Sequence, residues 1–195
     1  MTPAQSSSSR VAAHRPRVLI AGIGNVFSGD DGFGVHVVHA LARESLPEGV
    51  RLRDFGTRGH DLALALSRGT DVAILVDASP RGRPSGAVSV LELELPRPDP
   101  RAPANLAVDS IDPVAVLQLA ANFGAQLDRL CLVGGEPAVG DDPAGRTELS
   151  PVLRAALPGA VATIKELLAG IFADPPRPAA ATDDAAMEES IHEYR

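Results

Sequence analysis

The chain has a single cysteine, Cys131, and no second thiol for it to meet. That rules out an intrachain disulfide and any cysteine-based zinc knuckle, and it suits a reducing cytosol. A stripe of basic residues is missing as well, and the formal net charge is -7. Together these argue against duplex DNA as a partner, because nucleic-acid affinity rests on neutralised phosphates. Met1–Pro16 is rich in serine and arginine but has no apolar stretch of the length a secretory leader needs. No apolar run approaches the roughly 18 residues of a membrane helix, so the sequence predicts a cytoplasmic protein with no membrane partner. No serine stands in a G-x-S-x-G elbow, and Cys131 sits inside the strand-like run R-L-C-L-V, where a thiol packs as a small apolar group. A serine or cysteine nucleophile is therefore not expected.

The 195 residues that remain fit one domain, which buries roughly 70% of its unfolded surface and needs no staples. The ends, 1–16 and 173–195, lack an apolar period and are rich in Ser and Arg or in Pro and acid, a composition that predicts disorder. Within 17–172 short β-rich runs stand at Arg17–Ala21, Val50–Phe55, Val72–Val76, Val88–Leu93 and Arg129–Val133. Helix-period segments fall at Gly34–Ser45, Gly59–Ser67, Pro113–Phe123 and Ser150–Phe172. Such alternation predicts an α/β domain: a mostly parallel, twisted, five-stranded sheet with helices on both faces. The first and third runs are apolar almost throughout and suit central strands. Leu91–Leu95 alternates, with Glu92 and Glu94 outward, and suits an edge.

Ligands of such folds bind at the carboxyl ends of the strands. Strand one runs into the glycine-rich stretch I-G-N-V-F-S-G-D-D-G-F-G at Ile23–Gly34. The dinucleotide fingerprint fails there, because Phe27 stands where its third glycine belongs. The phosphate loop fails too: after Gly24-N-V-F-S-Gly29 come Asp30 and Asp31 rather than Lys and Ser or Thr, and aspartate repels phosphate. Asp30 has an ordinary explanation as a helix-start carboxylate. Asp31 differs once Asp77 is considered, because that residue ends the buried run Val72–Val76 at the same sheet edge. A carboxylate there needs a proton, a donor or a cation. The pair makes an acid–base couple or part of a metal site.

Four motifs in order, G-I-G-N-V-F-S-G-D-D-G-F-G, D-F-G-T-R-G, L-V-D-A-S-P-R-G and V-G-G-E-P, resemble the hydrogenase maturation proteases. The resemblance covers roughly Arg17–Gly170. It implies an endopeptidase that trims the C-terminal extension of a nickel–iron hydrogenase large-subunit precursor after nickel insertion. It also implies a site at which two carboxylates and a histidine meet nickel brought by the substrate. By motif the carboxylates are Asp31 and Asp77, and the histidine position holds Asp109 in V-D-S-I-D-P. Imidazole suits nickel, while three carboxylates suit harder cations such as magnesium or manganese. Three readings follow: Asp109 ligates in the histidine's place, His60 swings in from its loop on the same edge, or the chain is a non-catalytic assembly factor that kept the docking surface. For an active enzyme, the catalytic pair is Asp31 and Asp77, acting on water directly or through the metal. A metal-free aspartic-type pair is the remaining peptidase variant.

Other candidates have plainer roles. Asp112-Pro113 and Ser150-Pro151 read as helix starts. His36 and His39 are neighbours on a helix surface. Glu136, after strand five, either lines the cleft or faces water. Gly22, Gly24, Gly56 and Gly59 read as positions chosen for backbone conformation. No deep side-chain pocket is legible, so docking of a folded substrate is expected to supply specificity.

Overall fold

A computed structural model describes residues 15–101, 112–139 and 147–175. Asp109 and most of the expected tails, including His14 and His192, lie outside the described residues.

The strands are β1 (Val18–Ile23), β2 (Val50–Gly56), β3 (Val72–Ala78), β4 (Val88–Leu93) and β5 (Arg129–Gly135). They form one sheet in the order β2-β1-β3-β5-β4, with β4 the only antiparallel member among the described strands. The helices are α1 (Phe33–Leu41), α2 (Gly59–Ser67), α3 (Pro113–Asn122) and α4 (Pro151–Ala173). The expected α/β class, the strand count and the edge position of β4 are all observed.

Side-chain alternation explains the two layers. Val18 and Ile20 of β1, with Val72, Ile74 and Val76 of β3, point to the face covered by α1 and α4. Leu19, Ala21 and Ile23, with Ala73 and Leu75, point to the face covered by α2 and α3. Both strands are buried on both faces, which is why their sequences read as unbroken apolar runs. Each fully buried aliphatic side chain contributes about 1.5–3 kcal/mol.

The chain leaves β1 for β2 on one side through α1, then recrosses to β3 on the other side through α2. Right-handed crossovers put those two helices on opposite faces. The order therefore reverses between β1 and β3, and a switch point of this kind opens a crevice at the carboxyl ends of the strands. The register sets Gly22 beside Val76 on one side and Asp54 on the other, and Asp77 beside Gly134.

One expectation fails here. α4 is 23 residues long and its most apolar 18-residue window has a mean hydropathy of 1.4, so by length and composition it passes for a membrane span. Its aliphatic residues raise the index around the few charges, Arg154, Lys165 and Glu166. In the fold it lies along the sheet and buries Leu153, Ala160, Ile164, Leu168 and Ile171 in the core.

Candidate functional site

Between β1 and α1 the glycine-rich stretch folds into a short 3-10 helix, Gly29–Gly32, that carries both acids. Two glycines make the approach feasible. Gly24 has φ +110°, and a Cβ there would fall 1.8 Å from the Asp31 carbonyl oxygen and 3.5 Å from Asp77 Oδ1. Gly34 starts α1 so close to β3 that a Cβ would meet the Val76 carbonyl oxygen at 1.9 Å. With bare backbone at both points, the loop after β1 lies directly against the end of β3, and Asp31 and Asp77 come together around Gly24.

The two acids are held differently. Asp31 Oδ2 accepts the Asn25 N–H at 2.7 Å, which aims the carboxylate inward across its own loop. Asp77 ends the buried strand. Burial first and the Asp31 charge second push its carboxyl up to about 8, against the Ala78 N–H, which acts in the opposite direction. Asp77 therefore holds a proton at neutral pH. A protonated acid beside a second carboxyl group is a general acid–base arrangement. A cation entering between them would displace that proton.

Asp30 does not cap its own helix, contrary to expectation: neither the 3-10 helix nor α1 has a side-chain cap. It is only 6% exposed. Its oxygens accept the Ser150 N–H at 2.7 Å, the Ser150 Oγ–H at 2.9 Å and the Ala138 N–H at 2.9 Å. It thus ties the acidic loop to the turn after β5 and to the start of α4, where Ser150 is the N-cap and Pro151 the first residue, as expected. Glu136 neither lines the cleft nor faces water. It is buried, and its oxygens accept the Arg81 and Gly82 N–H groups at 2.9 Å, fixing the loop after β3. The sequence held no local sign of either role, because every partner lies at least 54 residues away.

The remaining candidates fall away from the pair or outside view. His60 is exposed on the first turn of α2. Among the described residues no group of three His, Cys, Asp or Glu side chains gathers as a metal cage, so His60 does not complete one, and Asp109 lies outside those residues. His39 is half-exposed on α1, with Nε2 3.3 Å from Asp54 Oδ2. Asp112 caps α3 by accepting the Val114 N–H at 2.9 Å, as its sequence suggests. Cys131 is buried in β5, and its thiol donates to Glu92 Oε2 at 3.3 Å. Burial, with that carboxylate beside it, pushes the thiol up to about 11, which leaves it inert as a nucleophile.

Contrary to expectation, a side-chain pocket is present. A cleft of about 470 Å³ opens beside Asp77 and is lined by Leu93, Leu117, Leu132 and Val114. It escaped sequence reasoning because α3, β4 and β5 are brought together there only by the placement of β5 between β3 and β4.

No family model matches the chain. Individual proteins do. It is 36% identical over 150 residues to the hydrogenase expression/formation protein HoxM of Azotobacter vinelandii, covering 73% of this chain and 71% of that one. Its fold superposes on a hydrogenase 2 maturation peptidase from a Thaumarchaeota archaeon with TM-score 0.59 and 32% identity, over 78% and 98% of the two chains. It also superposes on the Escherichia coli hydrogenase maturating endopeptidase HybD, with TM-score 0.59 and 26% identity over 79% and 93%. A switch-point pair of carboxylates and these likenesses agree: the chain belongs to the hydrogenase maturation protease family, a family of peptidases.

Proposed function

We propose that this protein removes the C-terminal extension of a nickel–iron hydrogenase large-subunit precursor after nickel insertion, in the cytoplasm. The observation that carries the reading is the Asp31–Asp77 pair, two carboxyl groups brought together around Gly24 at the switch point of the sheet, with Asp77 protonated. In the reaction the Asp31 carboxylate takes a proton from water. The water oxygen attacks the scissile carbonyl carbon, and the Asp77 acid protonates the departing amine as the C–N bond breaks.

Nickel enters this reading as cargo of the substrate. Asp31 and Asp77 are the described carboxylates placed to receive it, and oxygen donors with one exchangeable proton are chemically able to hold a divalent cation. Asp109 is the proposed third ligand, with His60 as the alternative. On this basis the metal serves as a signal that the precursor is loaded.

A cleavage assay on the cognate precursor, with and without nickel, read as mass loss at the precursor's C-terminus, tests the proposal. Wild type should cut only the nickel-loaded form, and Asp31→Ala should lose at least a thousandfold in rate, on the scale of a missing catalytic base. Asp109→His should change little. Binding without cleavage by wild type, with activity gained in Asp109→His, would sink the proposal in favour of an assembly factor.

A further inference from the structure

The surroundings of the two acids are unequal. On the β2 side of Gly24 lies a depression of about 320 Å³ lined by the polar Asp54, Thr57 and Arg58, with Phe27 at the same place. On the far side of Asp77 lies the cleft of about 470 Å³, whose lining is mostly apolar, with Ser79, Arg81 and Glu94 as its other polar members. Leu117 and Leu132 are each only 6% exposed, so their contribution is a fixed floor, while Val114 is 72% exposed. The Ala78–Arg81 wall is fixed as well, because Glu136 holds the Arg81 and Gly82 N–H groups. A preformed apolar cleft of roughly 300–1000 Å³ with a few polar groups at its margin is the usual form of a specificity site.

We infer that this cleft is the side-chain subsite of the peptidase and that it takes an apolar side chain of the substrate directly beside the scissile bond. The inference rests on the proteolytic reading above. Its occupant follows from continuity: Asp77 is at once a member of the acid pair and part of the cleft lining. A peptide whose scissile bond lies over the pair must therefore place a neighbouring side chain there. The mostly apolar lining favours an apolar group over a charged one, whose water is poorly replaced against Leu93, Val114, Leu117 and Leu132.

The test uses the full chain and the nickel-loaded precursor, with each residue flanking the cut changed in turn to Asp and to Lys. For wild type, a charge at one flanking position should lower kcat/KM by roughly ten- to hundredfold, and charges at the others far less. Val114→Asp, at an exposed position that keeps the melting temperature unchanged, should cut the unaltered precursor more slowly. It should cut the Lys variant at that position about tenfold faster than wild type does. If wild type cleaves the precursor but is indifferent to the flanking residues, the subsite is overturned and the proteolytic reading stands. Equal slowing of Val114→Asp on every substrate also overturns it, because the cleft then seats a surface away from the cut. Absence of any cleavage by wild type overturns both.

Discussion

Asp77 shows how much one position at the end of a buried strand can determine. Its carboxyl keeps a proton up to about pH 8, chiefly because it is desolvated and secondarily because Asp31 faces it. If that proton goes to the leaving amine, cleavage should fall as pH rises through 8, whereas uptake of a cation by the pair should strengthen across the same range. A pH–rate profile beside a nickel titration separates the two. Stability follows from the same shift. Between about pH 4 and 8 the folded chain holds a proton that the unfolded chain has released, so stability declines as pH rises through that window and levels off above it. Asp77→Asn removes the ionisation. In urea denaturation it should gain on wild type by a few kcal/mol more at pH 8 than at pH 5. Gly24→Ala should fail to accumulate as folded protein, since its Cβ meets backbone at 1.8 Å in a left-handed conformation; soluble yield and circular dichroism report it.

Among the elements, the short 3-10 helix is held by residues far from it in sequence. Asp30→Ala leaves the Ser150 and Ala138 N–H groups without their acceptor in a buried setting and should cost about 2–4 kcal/mol by denaturant unfolding, with Asp30→Asn recovering part. Ser150→Ala loses a cap and one hydroxyl bond and should cost about 1–2 kcal/mol. These contacts also mark where sequence reasoning stopped. β1 and β3 were legible because burial on both faces leaves continuous apolar runs, and Asp77 was legible because a carboxyl ending such a run needs an explanation. α3 and α4 announced their starts through Asp112-Pro113 and Ser150-Pro151. Asp30 and Glu136 were not legible, since a carboxylate that accepts backbone N–H groups brought from elsewhere in the fold looks in sequence like any loop acid. α4 was legible as a helix, but not the stripe it turns to the sheet, because composition does not say which face of a helix is buried.

For the molecule as a whole, Val139, Phe27 and Val114 are 92%, 76% and 72% exposed, well above the other exposed large apolar residues described. Each lies on a segment at the carboxyl end of the sheet, after β5, after β1 or at the start of α3. Apolar groups left in water around a reactive pair suit docking against a large folded partner. Phe27→Ser should therefore raise KM for the intact precursor about tenfold, with kcat and melting temperature little changed, in steady-state cleavage against thermal unfolding. The Asp30 contacts extend this into time. The donors it needs, on Ala138 and Ser150, are translated 108 and 120 residues after it. While the chain is being made, both acids exist long before the loop that aims them is anchored. The acidic loop therefore gains this anchor only after the start of α4 has been made.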